Sequence, residues 1–542
     1  MNYVTPVGFR DIMGAEAQVR ESLTSKVRAL LDAQGYRPVE TPTLEVLDVM
    51  KAGGHVPNSP FRFFDSYGDL LAMRPDVTMQ VARMCATRVE SFDEPLRLRY
   101  AQRVFRENTA EAEKREVTQL GIECIGASGV AADIEVVSLF AQCIEACRVK
   151  SYTIALGSAR VLRDLLSKSG GSLAWQKKVM QAYHESNFVD LAELVQAGDA
   201  GVMPAVAAAI GALPKLRGGK EALIQVRELL VPLGCTEGLD ELEAIYDALS
   251  ANDALEGKLL IDFSVMSSFD YYTGMVFEAY APGLGSPLGA GGRYDNLLAN
   301  YGAGTVPSAG FAFYLEEVME AVAVEERHAT HPLRIAVPKG SLNKDAVACL
   351  EAAGLDVSGL IDSGRTLMMT CGDVEYIIVR PTDAPVFVAT GAADCGICGE
   401  DSLVEADHDV VELVDLKFGA CRFVVAEQAG SAERVQNRYN ELGSIRIATK
   451  YPNITRAHFG KVGMQVEIVQ LHGNIELGPI TGMAERIVDI TATGTTLREN
   501  NLVVVEDVLA STARFFANPC AFRTNPCVGQ LADALSANVK ED

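Results

Sequence analysis

The chain contains the stretch Glu485-Arg-Ile-Val-Asp-Ile-Thr-Ala-Thr-Gly-Thr-Thr-Leu497, an apolar run that meets a carboxylate and then a turn rich in hydroxyl groups. Ile487 and Val488 favour a β-strand, and Asp489 lies near its end. The turn offers hydroxyl and backbone N–H groups where a helix could begin, and Gly494 permits close approach of a ligand to the backbone. The pattern predicts that Asp489 binds sugar hydroxyls while the turn binds the phosphate of a ribose 5-phosphate ester. A plain strand–turn–helix corner capped by threonines would read the same way.

Length and composition predict a soluble protein with several domains. A chain of 542 residues is too long for one core. Apolar residues make up 48% and charged residues 22%, as in compact proteins. The net charge of −24 disfavours nonspecific binding to nucleic acid or to anionic membranes. Because the sequence has neither a bilayer-length apolar run nor a signal-peptide pattern, we expect a cytoplasmic protein.

The twelve cysteines are scattered, and Cys395-Gly-Ile-Cys398 is an isolated Cys-x-x-Cys unit. Structural zinc sites need four ligands, which are commonly two such pairs. We therefore expect reduced, mostly buried thiols.

The chain has its clearest seam between 321 and 333, where a helical pattern runs into a short polar stretch with Pro332 and a new apolar strand follows. The predicted domains are 1–325 and 333–542, joined by a linker over 326–332. The C-terminal domain alternates short β runs with helical patterns at 343–353 and from Arg498 onward, which predicts an α/β fold. Its predicted strands are 333–337, 376–379, 395–397, 410–413, 421–425, 445–449, 466–469, 487–490 and 502–505.

Two further turns of this domain combine glycine with charged groups. Lys339 could meet a diphosphate, and the amides of Gly340 and Ser341 could bind an anion, although a plain helix cap is the alternative. Glu400 and Asp401 follow another strand and could hold Mg²⁺ or a base edge, or merely favour a helix N-terminus.

Together these turns give residues 333–542 a resemblance to the short form of ATP phosphoribosyltransferase. The matching elements are Arg334-Ile-Ala-Val-Pro-Lys-Gly-Ser-Leu342, Gly391-Ala-Ala-Asp-Cys-Gly-Ile-Cys-Gly-Glu-Asp401, Ile447-Ala-Thr-Lys-Tyr-Pro-Asn453, Glu476-Leu-Gly-Pro-Ile-Thr-Gly-Met-Ala-Glu-Arg-Ile-Val-Asp-Ile490 and Thr493-Gly-Thr-Thr-Leu-Arg-Glu-Asn500. Ser341 departs from the arginine often found in the family, and Glu485 from its usual aspartate. The segment lacks the C-terminal regulatory domain of the long form.

The resemblance implies a two-lobed, periplasmic-binding-protein-like α/β fold that transfers phosphoribose from phosphoribosyl pyrophosphate to ATP with Mg²⁺. Lys339, Glu476 and Asp489 would be catalytic, with Glu476 and Asp489 in the metal environment. Arg380 would help to neutralise pyrophosphate, and Arg365 is given no defined role. The implied phosphoribosyl pyrophosphate site comprises Asp489, Thr491, Ala492, Thr493, Gly494, Thr495 and Thr496. The implied ATP site comprises Lys339, Gly340, Ser341, Asp394, Glu400 and Asp401.

The first 325 residues resemble the catalytic core of histidyl-tRNA synthetase, a class II antiparallel sheet with flanking helices. The matching elements are Leu71-Ala-Met-Arg-Pro-Asp-Val-Thr78, Arg99-Tyr-Ala-Gln-Arg-Val-Phe-Arg106, Gln119-Leu-Gly-Ile-Glu-Cys-Ile-Gly126, Phe269-Asp-Tyr-Tyr-Thr-Gly-Met-Val-Phe-Glu278 and Gly291-Gly-Arg-Tyr-Asp295. The helical periodicity of 158–250 predicts an insertion with a packing or assembly role.

Two cations of the synthetase pattern are replaced, because Ser267 and Glu317 stand where arginines belong and Tyr314 fills a small-residue position. Stabilising the phosphates of ATP needs such cations, and the chain has no room for an anticodon-binding domain, so tRNA charging is not expected. The amino-acid pocket is retained. By resemblance to the synthetase-like regulatory subunit of short-form transferases, histidine would bind through Asp76, Arg106, Gln119, Glu123, Tyr271 and Tyr272.

Three functions fit the sequence: a transferase inhibited by histidine, a histidine-activating synthetase with an accessory domain, and a catalytically dead assembly or sensor protein. The synthetase needs cations at 267 and 317, and the dead protein predicts loss of the phosphate turn, which is intact. Arg106 and Glu123 could also be only inherited ion-pairing residues. The resemblance further implies a homo-oligomer, dimer or tetramer, with no nucleic-acid or membrane partner.

Overall fold

The computed structural model describes residues 4–54, 60–107, 114–265, 271–327, 332–361, 366–491 and 494–539. Two compact units divide the chain. The first comprises Met1–Thr330 together with Pro519–Asn525, and the second comprises His331–Asn518 together with Pro526–Asp542. The division falls inside the 326–332 stretch that the sequence suggested as a linker. The assignment of a short segment near the C-terminus to the first unit was not predicted.

The first unit combines short strands with longer helices. Its strands are β1 (Arg37–Pro38), β2 (Leu44–Val46), β3 (Arg62–Phe64), β4 (Leu70–Met73), β5 (Leu96–Phe105), β6 (Glu116–Ile125), β7 (Thr153–Ser158), β8 (Arg217–Gly218), β9 (Leu259–Asp262), β10 (Met275–Tyr280), β11 (Gly289–Arg293) and β12 (Ser308–Tyr314). Its helices are α1 (Gly14–Ala33), α2 (Leu47–Ala52), α3 (Thr78–Arg88), α4 (Val130–Ala146), α5 (Ala159–Lys168), α6 (Leu173–His184), α7 (Phe188–Ala197), α8 (Pro204–Ala212), α9 (Lys220–Leu230), α10 (Glu237–Ser250) and α11 (Leu315–Glu326).

A large sheet is the centre of the first unit. Its described strands follow the order β1-β5-β6-β12-β11-β10-β7-β9-β8. Neighbouring strands are antiparallel except for β1 with β5 and β7 with β9. A smaller antiparallel sheet has the order β2-β4-β3. The antiparallel sheet that the resemblance implied is therefore confirmed.

Helix α4 covers one face of the large sheet because its apolar side chains pack against alternate strand residues. The Phe140 ring lies 5.1 Å, centroid to centroid, from the rings of both Phe277 on β10 and Phe311 on β12. Side chains alternate along a strand, so Gln119 and Glu123 of β6 share one face. That face holds the polar groups described below.

Helices α5 to α10 lie between β7 and β9, where the sequence predicted a helical insertion, and only the short β8 interrupts them. Trp175 of α6 is buried and donates its indole N–H to the Leu194 carbonyl oxygen at 3.2 Å. A buried indole needs such an acceptor.

The second unit alternates strands and helices. Its strands are β13 (Leu333–Pro338), β14 (Met368–Cys371), β15 (Val374–Val379), β16 (Cys395–Gly399), β17 (Val411–Asp415), β18 (Cys421–Gln428), β19 (Ile445–Thr449), β20 (Val466–Gln470), β21 (Arg486–Thr491), β22 (Leu502–Ser511) and β23 (Ala513–Ala517). Its helices are α12 (Asn343–Ala352), α13 (Ser358–Ile361), α14 (Ala384–Ala389), α15 (Glu400–Ala406), α16 (Ala432–Leu442), α17 (Pro452–Lys461), α18 (Leu477–Ile480), α19 (Thr495–Glu499) and α21 (Pro526–Asn538), whereas α20 (Pro519–Thr524) belongs to the first unit.

Two sheets build the second unit. The described strands have the orders β14-β15-β13-β16-β23-β17 and β20-β19-β21-β18-β22. Strands β15, β13 and β16 are parallel, as are β20, β19 and β21, so the carboxyl ends of each set meet at one sheet edge. The chain passes from one sheet to the other at Thr512, between β22 and β23. This arrangement agrees with the predicted two-lobed α/β fold.

Every strand predicted for the second unit is present, and β14 and β23 are additional. Helix α12 matches its prediction within one residue. The helix predicted from Arg498 onward is wrong, because α19 ends at Glu499 and β22 begins at Leu502. Within the described ranges, no helix is both long and apolar enough to cross a bilayer.

Candidate functional sites

The turn after β21 is rich in polar groups. Gly494 has φ 69°, a left-handed conformation that other residues rarely adopt. Its N–H donates to the Thr491 hydroxyl at 2.8 Å, and Thr495 and Thr496 are exposed. Ala492 and Thr493 were also expected here and lie outside the described residues. Arg498 donates to the Thr495 hydroxyl at 3.2 Å, so the described part of the turn combines exposed hydroxyl groups with an exposed guanidinium.

Two carboxylates lie beside this turn. The pKa of Asp489 is raised to about 6, chiefly by burial and also by the negative charge of Glu476, against the opposing effects of the Ile490 N–H and the Lys450 ammonium. The N–H of Ile490 donates to Asp489 Oδ1 at 2.8 Å. The carboxylate of Glu476 thus acts electrostatically on Asp489.

This pair also fits Mg²⁺. The ion binds oxygen ligands and commonly takes one or two carboxylates together with substrate phosphates. Among the described residues, no group of three or more His, Cys, Asp or Glu side chains could form a closed metal site. A bound diphosphate would have to complete the coordination.

Lys450 is a member of this site that the sequence analysis did not single out. It follows β19, which lies parallel to β21, so both strands end at the same sheet edge. The ammonium is exposed and lowers the pKa values of both Asp489 and Asp401. A lysine directly after an apolar strand, Thr449-Lys450, was the available signal.

Asp401 lies where the two sheets of the second unit meet. Its carboxylate accepts a hydrogen bond from the Ser511 hydroxyl at 2.8 Å, and its own N–H donates to Ser511 Oγ at 3.1 Å. Burial raises the pKa of Asp401, whereas the Ser511 hydrogen bond and Lys450 lower it. The positive charge of Lys450 therefore acts on both Asp401 and Asp489.

The other two acidic residues of the predicted ATP site, Glu400 and Asp394, form ion pairs with arginines. Glu400 accepts a hydrogen bond at 2.7 Å from Arg514, whose guanidinium is buried. Asp394 accepts the Arg334 N–H at 2.8 Å and also pairs with its guanidinium. Asp394 precedes β16 whereas Glu400 follows it, so the two lie at opposite ends of the strand. The structure does not bring Asp394 to the same edge as Asp401, and its geometry favours a structural role.

The Lys339 turn is at the edge that carries Glu400. Its N–H donates to the Val379 carbonyl oxygen at 2.7 Å, which aligns the ends of β13 and β15. Lys339 and Arg380 therefore follow adjacent parallel strands, and both side chains are exposed. Gly340 has φ 81° and Ser341 is exposed, as an anion-binding turn requires. Arg365 lies outside the described residues.

Glu485, which departs from the resembled pattern, has a structural function here. Its carboxylate accepts the Arg446 N–H at 2.7 Å and a guanidinium hydrogen bond at 2.6 Å from the same residue. Arg438 pairs with it at 3.0 Å. Glu485 therefore fixes the start of β21, and Asp489 lies further along the same strand.

The first unit contains a second cluster of polar groups around Glu123. The carboxylate is 1% exposed and accepts hydrogen bonds from Thr78 at 2.7 Å, from Tyr100 at 3.3 Å and from the hydroxyl of Tyr294. Burial raises the pKa of Glu123 to about 8, although these hydroxyl donors oppose the shift. Thr78, Tyr100 and Tyr294 were not assigned to this site from the sequence.

Asp76 and Gln119 complete the cluster around Glu123. Asp76 is 2% exposed, and burial raises its pKa to about 6, against the opposing effects of the Met79 N–H and Arg106. Its Oδ2 atom is buried without a hydrogen-bond partner in the described part of the chain. Gln119 accepts the Val77 N–H at 3.2 Å. An uncompensated buried carboxylate oxygen is costly, so this site is suited to a cationic ligand.

Aromatic rings and glycines enclose the same space. The Tyr271 ring lies 4.8 Å from Tyr272 and 5.7 Å from Tyr294, centroid to centroid. A Cβ atom on Gly310 would lie 2.3 Å from a Glu123 carboxylate oxygen, and one on Gly292 would lie 2.7 Å from the Tyr272 ring. The glycines of β11 and β12 thus leave room for these side chains on the sheet surface.

The nucleotide side of the synthetase-like pattern is altered. Arg106 donates to the Tyr314 hydroxyl at 2.6 Å and lies 5.0 Å from the centre of its ring. Glu317 pairs with Lys114 at 2.8 Å, so the position expected to be an arginine carries a carboxylate in an ion pair. Ser267 lies outside the described residues. The predicted pocket is therefore assembled at Asp76, Gln119, Glu123, Tyr271 and Tyr272, with Arg106 engaged by Tyr314.

Two family models match this chain. One described as histidyl-tRNA synthetase matches residues 8–318, and one described as ATP phosphoribosyltransferase matches residues 380–540. An ATP phosphoribosyltransferase of Rubrobacter xylanophilus is 50% identical over 191 residues, which are 35% of this chain and 88% of that protein. An ATP phosphoribosyltransferase regulatory subunit of Desulforamulus reducens is 33% identical over 316 residues, which are 58% of this chain and 78% of that protein.

A solved structure is similar to much of this chain. It is an ATP phosphoribosyltransferase regulatory subunit/histidyl-tRNA synthetase from Bacillus halodurans, with 25% sequence identity and a TM-score of 0.55. The match covers 70% of this chain and 99% of that one.

Proposed function

Because the chain belongs to the histidyl-tRNA synthetase family through residues 8–318 and to the ATP phosphoribosyltransferase family through its C-terminal part, we propose that it is an ATP phosphoribosyltransferase with its own synthetase-like regulatory unit. The reaction converts ATP and phosphoribosyl pyrophosphate into phosphoribosyl-ATP and pyrophosphate, the first step of histidine biosynthesis. The cluster of Asp489, Glu476 and Lys450 beside the 491–496 turn is the observation that supports this function most directly.

The chemistry is a displacement at the anomeric carbon. A ring nitrogen of adenine forms a bond to that carbon as the bond to the pyrophosphate oxygen breaks, and no enzyme nucleophile is needed. Asp489 accepts hydrogen bonds from the ribose hydroxyls, and the turn that contains Gly494 holds the 5-phosphate. The alignment of the two substrates is the main catalytic contribution of these residues.

The leaving group requires positive charge. Lys339 and Arg380 are exposed at the ends of adjacent strands, and Lys450 is exposed at the end of β19. Glu476 and Asp489 would hold Mg²⁺, which would supply additional positive charge for the departing pyrophosphate. Cations placed where charge develops lower the barrier most in a site that excludes water.

Incubation of the intact protein with ATP, phosphoribosyl pyrophosphate and Mg²⁺ tests the proposal. We expect phosphoribosyl-ATP and an equal amount of pyrophosphate, with no product when Mg²⁺ is chelated. The absence of phosphoribosyl-ATP under all of these conditions would contradict the proposed activity.

Histidine is proposed to inhibit through the first unit. A buried carboxylate pair at Asp76 and Glu123 suits the α-ammonium group, and the nearby Tyr271 and Tyr272 rings suit the imidazole. The double variant Asp76→Ala with Arg106→Ala should retain basal activity and lose histidine inhibition. If inhibition persists unchanged, the effector binds elsewhere.

The active form is proposed to be a homo-oligomer, dimer or tetramer. Among the described strands, β22 is an edge strand, and Val503, Val504 and Val505 on it are 40–43% exposed. A long apolar edge is a common surface for association. Light scattering of the purified protein tests this, and a monomeric mass at working concentration would contradict it.

A further inference from the structure

The segment Pro519–Asn525 is part of the first unit although its neighbours in the chain, Asn518 and Pro526, belong to the second. Helix α20 packs on strands β7 and β10. Cys520 is fully buried in the main apolar core of the first unit, and Phe522 is 6% exposed. The segment is therefore an integral part of that unit.

Arg523 fixes this helix with its charge. Its side chain is 3% exposed, and its Nε lies 3.3 Å from Oδ2 of Asp262, which is itself fully buried. A second guanidinium nitrogen donates to the Ser264 hydroxyl at 3.2 Å, and the group lies 4.8 Å from the centre of the Tyr280 ring. A charge buried this deeply needs its partner, so the position of the helix depends on the position of Asp262.

Arg217 holds the helix from another side. Its guanidinium donates to the Phe522 carbonyl oxygen at 2.8 Å and lies 3.7 Å from the centre of the Phe522 ring. Cation and ring at this distance attract each other. Two arginines, one on α20 and one on β8, therefore define where the segment lies.

The residues that contact Arg523 lie on both sides of the two histidine-pocket tyrosines in the sequence. Asp262 and Ser264 precede Tyr271 and Tyr272, and Tyr280 follows them at the end of β10. A ligand that contacts the two tyrosines thus acts on a stretch whose two ends both contact Arg523.

The other side of the segment continues directly into the candidate transferase site. Asn518 follows β23 and donates its side-chain N–H to the Val388 carbonyl oxygen at 3.0 Å. Strand β23 contains Arg514, which pairs with Glu400, and Asp401 comes next in the chain. A displacement of Pro519–Asn525 therefore pulls on the strand that positions the Glu400–Asp401 turn.

We propose that Pro519–Asn525, anchored by Arg523, is the element through which histidine bound in the first unit controls the transferase site. The inference rests on the proposed function. Coupling of this kind is a free energy shared by two sites, so it must appear both in inhibition and in binding.

The test compares the full-length protein with its Arg523→Met variant. We expect basal phosphoribosyl-ATP synthesis to change little, because Arg523 touches neither substrate site. The histidine concentration for half-inhibition should rise at least about tenfold, within the usual range of coupling strengths. Calorimetry should show that histidine still binds the variant, while the difference between its affinity with and without ATP disappears. ATP is added alone, because the two substrates together would be converted to product during the titration.

Two further variants keep the result decisive. Arg217→Met removes the half-buried contact to Phe522 and should also raise the histidine concentration for half-inhibition. It replaces Arg523→Met if that variant fails to fold. Arg97→Met is the control, since Arg97 forms an ion pair with Glu135 at 2.8 Å and alternates to the face of β5 opposite Tyr100. It should be inhibited by histidine like the unmodified protein.

Unchanged histidine inhibition in a folded Arg523→Met or, failing that, Arg217→Met protein would overturn the inference while the transferase activity stood. A protein that makes no phosphoribosyl-ATP would contradict the proposed function instead. The calorimetric comparison would then still decide whether the segment couples the histidine and ATP sites.

Discussion

At the scale of single residues, Asp489 determines how the transferase should respond to pH. Burial and the charge of Glu476 raise its pKa to about 6, and Ile490 and Lys450 oppose that rise. The ionised form is the one that accepts hydrogen bonds from ribose. We therefore predict that kcat/KM falls as the pH drops through about 6 and is level above it. Asp489→Asn should lower kcat/KM by about 100-fold or more, which corresponds to roughly 2.7 kcal/mol.

A Glu476→Gln variant tests whether Glu476 contributes to the raised pKa of Asp489. It removes the like charge that raises the pKa of Asp489, so the acidic limb of the pH profile should move to lower pH even though the rate also falls. Glu467→Gln is the control, because Glu467 is exposed on β20. An acidic limb that stays in place in Glu476→Gln would mean that another group controls it.

We predict that the Glu123 carboxyl releases a proton when histidine binds. Burial raises its pKa to about 8, so the free protein at pH 7 holds this carboxyl mainly in its neutral form. An incoming ammonium group favours the carboxylate and lowers the pKa again, which expels the proton. Calorimetry at pH 7.5 in buffers of different ionisation enthalpy should reveal that release.

The matched comparison uses two glutamates of β6. Glu123→Gln should bind histidine without the buffer-dependent heat, whereas Glu116→Gln, which loses only an exposed pair with Arg103, should behave like the unmodified protein. Identical heats in all buffers for the unmodified protein would show that Glu123 is already ionised before binding.

At the scale of elements, close strand packing makes Gly310 of β12 irreplaceable. A Cβ atom there would lie 2.3 Å from Glu123 Oε2 and 2.4 Å from the Ile122 carbonyl oxygen, and the latter belongs to the backbone of β6. We predict that Gly310→Ala lowers the free energy of unfolding by about 1–3 kcal/mol and weakens histidine binding. Gly460→Ala in α17, where nothing lies within 4 Å, should leave stability unchanged or slightly higher in the same urea titration.

Local patterns predicted the elements of the second unit well where apolar runs were bounded by turn residues. Strands β19 and β21 were found because each is a β-branched run that ends in polar residues. Strand β23 was missed because Thr512 alone separates it from β22, so no turn signal marks the change of sheet. Asp394 precedes and Asp401 follows the predicted strand 395–397, so the assignment of both to one site already conflicted with the predicted strand, and β16 confirms that they lie at opposite ends.

The pairing of distant groups could not be read from the chain. Glu400 was assigned to ATP because it follows a strand, but its partner Arg514 lies on β23, far along the sequence. Lys450 was not predicted because its role depends on its electrostatic effect on Asp401 and Asp489, which lie on different elements. The pocket around Glu123 was predicted through resemblance, whereas the hydroxyl of Tyr294 that bonds to it became visible only in the fold.

At the scale of the whole molecule, the two compact units should respond to different ligands. Each candidate site lies within one unit, with Asp76 in the first and Asp489 in the second. A ligand at 100 times its Kd stabilises the unit that binds it by about 2.7 kcal/mol. Differential scanning calorimetry should therefore show that histidine and phosphoribosyl pyrophosphate each raise an unfolding midpoint, by a few degrees for every kcal/mol.

Variants at the two sites should separate these responses. Asp76→Ala is expected to lose the shift caused by histidine and to keep the shift caused by phosphoribosyl pyrophosphate, because its change is confined to the first unit. Asp489→Asn is expected to do the reverse. If Asp76→Ala also abolished the response to phosphoribosyl pyrophosphate, binding of phosphoribosyl pyrophosphate would depend on Asp76 itself, and the assignment of the two ligands to separate units would be wrong.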